Sequence, residues 1–460
     1  MKNTIKKNDT LTVSITDITD LGFGVGRVGG QVIFISDALP GDEVIARVIK
    51  VSSSFLVGRV EKYITKSSLR TLDRCSEASC RSCAYKCIPY SYEASLKEEG
   101  VRRLFSVGEL SGTKCAPIIT SPKETRYRNK AQYPIGMEKG EYTVGFYTPK
   151  SHRVTPVSDC PLTPRVFSDI IGAVCGYFKK HAISVYDEER GEGLLRHIYL
   201  RRGEVSGEIL LTLVINGETI PHPEDLVAGI TEKFPDVVGI LLNVNTEATN
   251  VILGERFITL YGRDHIFDTL CGVRLKISAP AFYQVNHDCA EILYGEARRL
   301  ASPTKDDTLL DLYCGAGSIG LSMARDCGEI IGIEIIEDAV KCANLNAREN
   351  RIDNAHFFAG DAGNTEELLS HAEKNLGRKI KPDIIILDPP RGGCDERLVR
   401  FVSGLLPKRI VYISCNPKTL ARDVVRFKEY GYTTDTVTPI DMFPGTGHVE
   451  SLVCLTPKTN

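Results

Sequence analysis

The segment DTLLDLYCGAGSIGLSMARD, residues 307–326, is the most informative about the fold of this 460-residue chain. An apolar run ends at Leu312, a glycine turn follows at 313–317, and a run of helical character continues to Asp326. A strand that passes through glycines into a helix lets the backbone approach a ligand, which then lies at the helix N-terminus. The segment therefore predicts a strand, a ligand-binding turn and a helix, in this order.

The alternation of helix and strand extends on both sides of this segment, from residue 287 onwards. Helices are predicted for HDCAEILYGEARRL, EDAVKCANLNAREN and ERLVRFVSGLL, and strands for EIIGIEI, PDIIILDPP and RIVYISCNP. Such alternation is typical of βαβ units, in which helices cover both faces of a parallel sheet. We therefore expect a C-terminal α/β domain of the Rossmann-like type.

The rest of the chain has different patterns. Residues 9–63 alternate short β-rich runs with glycine turns, which is typical of a small β-barrel. Residues 125–270 contain several strands and few long helices, which indicates a mixed α+β domain. Between these regions, SLKEEGVRRLFSVGEL (95–110) is predicted to be a helix. The fold class is therefore multi-domain, with a barrel, a central α+β domain and an α/β domain.

Composition and charge exclude several classes of protein. The net charge of −2 excludes a globally basic nucleic-acid coat, so a nucleic-acid partner would need a local basic surface. No apolar run approaches the roughly 18 residues that a membrane span needs. The opening MKNTIKKNDT has no apolar core, so no signal peptide is expected. The 15 cysteines then favour a reducing cytoplasm, where cysteines serve metals or chemistry rather than disulfides.

The predicted strand that follows the glycine turn and its helix ends in an acidic residue. Glu334 ends the next predicted strand, about 20 residues beyond the turn, which suits a carboxylate that binds ribose hydroxyls. Gly315, Gly317 and Gly320 also complete the G-x-G-x-x-G pattern of dinucleotide sites, so an NAD enzyme stays open at this point. Both alternatives require a nucleotide-type cofactor.

The tip of the following strand favours methyl transfer over hydride transfer. That strand ends in Asp388-Pro389-Pro390-Arg391, and a D-P-P tip resembles those of base-modifying methyltransferases. Dehydrogenases have no evident use for it. The alternative is that the two prolines only end the strand, because proline cannot continue the ladder of hydrogen bonds.

A cysteine follows one strand later, in the turn Ser414-Cys415-Asn416-Pro417. The carboxyl ends of parallel strands face one crevice, so Asp311, Glu334, Asp388 and Cys415 are expected to share one site. An inert buried thiol is the alternative for Cys415.

The chemistry that needs such a cysteine is methylation of uracil at C5. A thiolate that adds to C6 makes C5 enolate-like and able to accept a methyl group from a sulfonium. A base then removes the C5 proton, and the thiol leaves. Because the thiolate is the reactive form and a free cysteine titrates near pH ~8.5, we expect some lowering of the pKa of Cys415.

The segment DMFPGTGHVESLVCL, residues 441–455, offers the base. His448 and Glu450 are two residues apart and would share one face of a strand. Glu450 is the predicted base, since a carboxylate needs no pKa shift to be unprotonated at neutral pH. His448 is the predicted hydrogen-bonding neighbour. The alternative is that both are ordinary polar residues on a solvated face of a strand.

Several motifs together resemble the RNA 5-methyluridine (uracil-C5) methyltransferase family. They are DLYCGAG, DPPRGGC, SCNP and DMFPGTGHVE, with YRNKAQYPIG, GFYTPKSH, NVN and FYQVN further upstream. GVGRVGGQVIFISDALPGDEV resembles a TRAM domain, an OB-like RNA-binding barrel. The resemblance implies S-adenosylmethionine as methyl donor, Cys415 as nucleophile and Glu450 as base. It implies these positions for donor binding: Gln284, Tyr313, Glu334 and Asp388.

The expected domains follow from the patterns and the resemblance. The TRAM barrel comprises 1–63. The central domain comprises 64–90 and 122–265, and the methyltransferase domain comprises 91–121 and 266–460.

A cysteine cluster fits the same family. Cys75, Cys80 and Cys83 are closely spaced, and a distant Cys160 would complete the four thiolates that commonly hold a [4Fe–4S] cluster. The resemblance selects these four, although the first gap is one residue shorter than usual and Cys87 is an extra candidate. A local set ending in Cys87 could instead bind zinc, or the thiols could be spare. The spacing of the cysteines is also close to that of radical enzymes. That interpretation is not favoured, because no barrel-like series of βα units follows the cysteines in the sequence.

The expected partner is RNA, from which the target base must be turned out into the site. A barrel with a cluster is similar to the ribosomal-RNA branch of the family, which favours 23S rRNA. Alternatives are a tRNA uridine methyltransferase and a non-catalytic RNA-binding protein. The chain is expected to be a cytoplasmic monomer without membrane contact. A basic stretch is compatible with phosphate contacts or with a solvated helix face: Arg102, Arg103, Lys114, Lys123, Arg126, Arg128 and Lys130.

Overall fold

The computed structural model describes residues 5–71, 75, 80–148, 151–364 and 367–458. The chain divides into two compact units. The first, here called the barrel unit, comprises Met1–Lys97 and Phe443–His448. The second, here called the main unit, comprises Glu98–Met442 and Val449–Asn460. The chain therefore leaves the main unit for six residues near its end and then returns to it.

Strands supply most of the framework of both units. In chain order they are β1 Thr10–Ile18, β2 Gly24–Val28, β3 Gln31–Ser36, β4 Glu43–Val51, β5 Phe55–Thr65, β6 Lys114–Cys115, β7 Lys130–Glu138, β8 Glu141–Tyr147, β9 Val154–Pro156, β10 Leu195–Arg202, β11 Ile209–Ile215, β12 Val237–Val244, β13 Arg256–Gly262, β14 His265–Leu270, β15 Val273–Ser278, β16 Thr308–Leu312, β17 Glu329–Glu334, β18 Ala355–Ala359, β19 Ile384–Leu387, β20 Arg409–Ser414, β21 Tyr432–Thr433, β22 Thr436–Ile440 and β23 Glu450–Pro457.

The helices lie mostly between these strands. In chain order they are α1 Tyr90–Phe105, α2 Arg165–Lys180, α3 Pro223–Thr231, α4 His287–Ala301, α5 Ser318–Met323, α6 Glu337–Glu349, α7 Ser370–Leu376, α8 Glu396–Gly404 and α9 Pro417–Glu429, with a 3₁₀ turn at Gly108–Leu110. The helix predicted over 95–110 is therefore observed one turn earlier, as α1. Within the described part of the chain, no helix combines the length and apolar character that crossing a bilayer requires.

The barrel unit contains a closed barrel in the order β1-β2-β3-β5-β4. Its core consists of alternate residues of these strands, among them Val13, Ile33 and Leu56. Alternation with period two is what a strand needs to fill one face and expose the other. The small barrel predicted from residues 9–63 is confirmed.

A buried ion pair in the barrel unit holds the segment Phe443–His448. Lys97 Nζ lies 2.7 Å from Glu93 Oε1, and both side chains are almost fully buried. Glu93 Oε1 also accepts a hydrogen bond from Gly445 N at 2.6 Å. Lys97 Nζ donates to the carbonyl of Phe443 at 3.2 Å. The two charges therefore neutralise each other while satisfying the backbone of this returning segment.

The main unit contains a seven-stranded sheet in the order β13-β12-β11-β10-β7-β8-β9. Helices α2 and α3 pack on it through an apolar cluster that includes Phe167, Phe178 and Leu226. The sheet is mostly antiparallel, with one parallel pair, β11 and β12. It corresponds to the mixed α+β region predicted from residues 125–270.

The second large sheet of the main unit has the order β18-β17-β16-β19-β20-β23-β22-β6, with β21 beside β23. The strands from β18 to β20 are parallel, and β23 joins antiparallel to β20. The predicted α/β alternation is confirmed. Several elements were not predicted, among them β18 and α7, because AHFFA is a short apolar run with a histidine inside it and SHAEKNL is a short polar helix.

Candidate functional site

The carboxyl ends of β16, β17, β19 and β20 meet at one edge of the second sheet. In register, Leu312 of β16 pairs with Ile333 of β17 and with Leu387 of β19, and Leu387 pairs with Tyr412 of β20. Parallel strands of this kind place the residues that follow them around one crevice. The structure therefore brings together the strand-end residues that the sequence pattern assigned to one site.

The turn between β16 and α5 has an unusual backbone. Gly315 and Gly317 have φ values of 53° and 80°, and Tyr313, which is not a glycine, has a φ of 64°. A side chain in the left-handed region is strained, and such strain is concentrated at binding and catalytic sites. At Gly317 an added Cβ would lie 2.8 Å from the ring of Phe357. This turn therefore accepts no bulk at that position.

Glu334 lies against this turn at the end of β17. Its carboxylate accepts hydrogen bonds from Gly315 N at 3.0 Å and from Ile336 N at 3.0 Å. A carboxylate has about four acceptor positions, so it can still accept from a ligand hydroxyl. Ile335 and Ile336, which follow it, are 62% and 61% exposed. A fixed carboxylate beside an exposed apolar surface suits a ribose with an attached base.

Asp311 is a functional candidate. It was predicted to lie in the crevice, but it was not predicted to bind the donor. It is fully buried, and Gly320 N donates to its Oδ2 at 2.9 Å. Its Oδ1 is buried without a hydrogen-bond partner among the described residues. Burial and the nearby Asp388 and Glu334 raise its pKa to about 7. An unsatisfied buried oxygen at a ligand-binding turn fits a donor group on a ligand.

Gln284 lies on an irregular segment, residues 279–286, here called the 279–286 strip. Only 8% of Gln284 is exposed, and its carbonyl accepts from Asn129 Nδ2 at 2.8 Å. Asn286, at the end of the strip, caps α4 through its side chain. Its Nδ2 donates to the carbonyl of Met442 at 3.0 Å and to Ser121 Oγ at 3.2 Å. Asn286 was missed from sequence, although an asparagine before a helical run is a typical N-cap signal.

Cys415 follows β20 in a turn fixed on both sides. Ser414 Oγ accepts from Asn416 N at 3.1 Å, and the Asn416 side chain caps α9, which begins with Pro417. Asn416 Nδ2 also donates to the carbonyl of Arg391 at 3.1 Å. The turn is as constrained as the Ser-Cys-Asn-Pro sequence predicts, and it leaves Cys415 partly exposed.

The expected lowering of the Cys415 pKa is wrong for the protein alone. Burial raises the pKa of the thiol, Glu450 and Asp388 raise it further, and Arg391 lowers it. The net direction is upward mainly because burial disfavours the charged thiolate, and Glu450 and Asp388 add to this effect against Arg391. Arg391 is a site residue that sequence reasoning did not select, although it directly follows the D-P-P tip.

Glu450 is the first residue of β23 and is 4% exposed. Burial, with a further contribution from Asp388 and against the opposing effect of Arg391, raises its pKa to about 8. The expectation that this carboxylate needs no pKa shift is therefore wrong, because the side chain is desolvated. The prediction that Glu450 and His448 share one face of a strand is also wrong, since β23 begins at Glu450 and His448 belongs to the barrel unit.

The cysteines proposed as metal ligands are partly buried. In the barrel unit these are Cys75, Cys80, Cys83 and the extra candidate Cys87, and in the main unit Cys160. Within the described ranges, which omit residues 76–79, no three His, Cys, Asp or Glu side chains form a group that could hold a metal ion. The described residues therefore do not support a cluster or a zinc site.

Much of the predicted basic stretch is neutralised by carboxylates. Lys123 Nζ lies 2.7 Å from Glu204 Oε1, and Arg126 Nη1 lies 2.6 Å from Asp159 Oδ1. Arg102 pairs with Glu99 on α1. These exposed pairs agree with a solvated surface better than with a phosphate-binding one.

Two family models match this chain. The model described as tRNA (Uracil-5-)-methyltransferase matches residues 271–458, and the model of the TRAM domain matches residues 6–60. The first range contains every residue of the strand-end crevice described above.

Similar proteins cover almost the whole chain. A protein of Halalkalibacterium halodurans named as an uncharacterized RNA methyltransferase is 37% identical over 456 residues, which are 99% of this chain and 98% of that protein. A protein of Clostridium tetani with the same name is 35% identical over 454 residues, 98% of this chain and 97% of that protein. Among solved structures, Pyrococcus abyssi tRNA (uracil-54, C5)-methyltransferase in complex with S-adenosyl-L-homocysteine matches with a TM-score of 0.76 and 26% identity, over 97% of this chain and 100% of that one.

Proposed function

Because the chain belongs to the RNA uracil-C5 methyltransferase family, we propose that it transfers a methyl group from S-adenosylmethionine to C5 of a uridine in 23S rRNA. The observation that carries this proposal is the convergence of Cys415, Asp388 and Glu450 at one sheet edge. Their charges act on one another: Glu450 and Asp388 both raise the pKa of Cys415. A nucleophile and a proton acceptor within electrostatic reach of each other are the minimum for addition and elimination.

The donor is proposed to bind at the turn between β16 and α5. Glu334 would accept from the ribose hydroxyls, the exposed Ile335 and Ile336 would cover the adenine ring, and Tyr313 would line the same turn. Gln284, on the 279–286 strip, and Asp388 complete the proposed donor site. The S-adenosyl-L-homocysteine in the Pyrococcus abyssi structure supports a donor of this class.

The proposed reaction proceeds by four changes in bonding. The Cys415 thiol loses its proton to solvent water, and the thiolate adds to C6 of the uracil. The resulting C5 enolate displaces the methyl group from the donor sulfur, which leaves as a neutral thioether. Glu450 then takes the C5 proton, and the electron pair of that C–H bond restores the C5–C6 double bond and expels the Cys415 thiolate. Arg391, which lowers the pKa of both Cys415 and Glu450, favours the ionised forms that these steps need.

Donor affinity is expected to rise with pH, because protonated carboxyls must ionise to stabilise the positive sulfonium. Asp311 and Asp388 have pKa values raised to about 7, and Glu450 to about 8. Below these values the groups are neutral, so the attraction is present above about pH 8 and is lost as the pH falls. We expect S-adenosylmethionine to bind about tenfold more tightly at pH 8 than at pH 6, since a change of one unit in the pKa of a carboxyl on binding corresponds to a factor of ten in affinity. Isothermal titration calorimetry measures this.

S-adenosylhomocysteine is the matched control for this charge effect, because it lacks the positive charge on sulfur. Its affinity should change much less over the same pH range. Equal pH dependence of the two ligands would contradict a role for these three carboxyls near the sulfonium.

The proposed class of RNA follows from the family resemblance and from the barrel. The resemblance to the ribosomal-RNA branch supports 23S rRNA, and the TRAM barrel supports an RNA partner in general. The likeness to Pyrococcus abyssi tRNA (uracil-54, C5)-methyltransferase favours a tRNA uridine as the second candidate. A cytoplasmic monomer with the three domains given above belongs to the same proposal.

Incubation with a methyl-labelled donor and separated RNA classes tests the function. Ribosomal RNA and tRNA should come from a strain that lacks this protein, so that the target position is unmodified. Label in 5-methyluridine of 23S rRNA is the expected result, and label only in tRNA would assign the second candidate. Binding of RNA without label in any class would instead indicate a non-catalytic RNA-binding protein.

A [4Fe–4S] cluster on Cys75, Cys80, Cys83 and Cys160 is also proposed, on the spacing of these cysteines and on the family resemblance that selects them. No step of the reaction above depends on it. About four iron atoms and four sulfides per chain in anaerobically purified protein would support it. One bound zinc ion would support the local site that includes Cys87, and neither metal would leave the thiols as spare.

A further inference from the structure

Two cationic side chains of the main unit face each other across neighbouring strands. Lys130, at the start of β7, and Arg201, on β10, are partners in register. Arg201 is 1% exposed, and Lys130 is partly buried. In an antiparallel pair the side chains of register partners lie on the same face of the sheet and within contact range. Two positive charges therefore share a largely desolvated position.

The guanidinium of Arg201 is hydrogen-bonded but not neutralised. Its Nη2 donates to Ala281 O at 2.6 Å, to Ala279 O at 3.2 Å and to the Tyr199 hydroxyl at 2.8 Å. All three acceptors are uncharged. Its Nη1 is buried and has no hydrogen-bond partner in the described part of the chain. The side chain therefore retains both a positive charge and an unused donor.

Lys130 adds a second charge without a counter-charge. Among the described residues, neither Lys130 nor Arg201 forms an ion pair with a carboxylate. Burial, together with the nearby positive charges of Arg201 and Arg128, lowers the pKa of Lys130 to about 8. Buried charges are normally paired, as Glu93 and Lys97 are in the barrel unit. An uncompensated pair of like charges is costly to the fold, and a bound anion would offset that cost.

The position of this pair connects it to the proposed active site. Arg201 holds the beginning of the 279–286 strip through the carbonyls of Ala279 and Ala281. Asn129, next to Lys130, holds the end of the strip through the carbonyls of Gln284 and Val285. The strip carries Gln284, a proposed donor-site residue, and the 68% exposed Phe282. An anion at Lys130 and Arg201 would therefore lie beside this strip.

We propose that Lys130 and Arg201 form a receptor for an RNA phosphodiester next to the target uridine. The inference rests on the proposed function, since it assigns part of the same substrate. A phosphodiester carries one negative charge and two free oxygens, which match the Lys130 ammonium and the unused Arg201 Nη1. The amino-acid end of the methyl donor is a less suitable occupant, because its ammonium already neutralises its carboxylate.

The salt dependence of RNA binding tests this receptor. Fluorescence anisotropy with a labelled oligouridylate over a series of KCl concentrations gives the slope of log Kd against log salt. Lys130→Gln is expected to lower that slope by about 0.7, the value for one lost phosphate contact on a single strand. Lys130→Arg should retain most of it. The same Lys130→Gln variant should keep or raise the Tm, because it removes an uncompensated buried charge.

Lys123→Gln is the matched control, since Lys123 is already paired with Glu204 and Asp288. Its slope should equal that of the wild type. An unchanged slope in Lys130→Gln would overturn the receptor. A loss of S-adenosylmethionine affinity in Lys130→Gln without RNA would also overturn it, by assigning the charge to the donor. Failure of the proposed function is distinguishable, because a wild-type protein would then bind oligouridylate with this slope but methylate no RNA class.

Discussion

Replacement of Cys415 by alanine is expected to reduce methyl transfer by about 10⁴-fold or more, in line with the loss of other covalent nucleophiles. The reason is that uracil C5 accepts a methyl group only while sulfur is bonded to C6, and alanine cannot form that bond. RNA that contains 5-fluorouridine should form an adduct with the wild-type protein that survives denaturation, because fluorine at C5 blocks the final elimination. The Cys415→Ala variant should form none, as judged by denaturing gel electrophoresis with labelled RNA.

Cys175→Ala is a suitable control for the loss of a thiol as such. Cys175 is a partly buried cysteine of α2, and burial raises its pKa to about 11. This variant should retain both turnover and adduct. Cys415→Ala should still bind S-adenosylmethionine, which separates a lost nucleophile from a misfolded site. Unchanged turnover in Cys415→Ala would remove this cysteine from the reaction.

Replacement of Glu450 by glutamine is expected to have a different effect, because the proposed role of Glu450 comes after methyl transfer. Turnover should fall by about 10²–10⁴-fold, the usual contribution of a positioned base. The addition of Cys415 and the methyl transfer should still occur, so an adduct that carries the methyl group should accumulate on ordinary RNA. Glutamine has nearly the same shape as glutamate, and the position is 4% exposed, so the fold should be retained. Labelled donor and denaturing electrophoresis detect the trapped product.

The double variant Cys415→Ala/Glu450→Gln should form no adduct, which ties the trapped species to the sulfur. Glu189→Gln, at an exposed position of the main unit, should behave as the wild type. A Glu450→Gln protein that loses turnover without trapping methylated RNA would place Glu450 before the methyl transfer. Full turnover in this variant would assign the proton to another acceptor.

The arrangement of the strand ends could be predicted from the sequence because it depends on local signals. The runs that precede Asp388 and Cys415 are apolar, and prolines or glycines end them, so their order along the chain fixed a common edge. The left-handed backbone of Tyr313 was not predictable in the same way. A tyrosine carries no signal for that conformation, which the surrounding structure imposes.

The protonation of the site could not be predicted, because it depends on burial by distant strands. Glu450 pairs in register with Ile440 of β22 and lies one position from the β20–β23 ladder. Whether a carboxylate in a strand is exposed or buried can be predicted only when the strands on both sides of it are known. The passage of the chain into the barrel unit after Met442 could not be predicted from the sequence either. His448 was therefore grouped with Glu450 only because the two residues are close in the sequence.

The basic stretch shows the same limit for charge. Lys123 and Arg126 read as available cations, yet their carboxylate partners are Glu204 and Asp159, far along the chain. Arg201, by contrast, carried no motif and was not selected. Only the register of β7 and β10 identified it as the residue opposite Lys130.

The buried pair of Glu93 and Lys97 affects how this protein can be divided. A fragment that starts after residue 97 would leave Gly445 N and the Phe443 carbonyl without the acceptor and donor they have in the intact chain. These backbone groups lie between Met442 and Glu450 in sequence. The barrel unit is therefore not a removable module, and a fragment cut at Lys97 would lack the anchor of the segment that leads to Glu450, the proposed base.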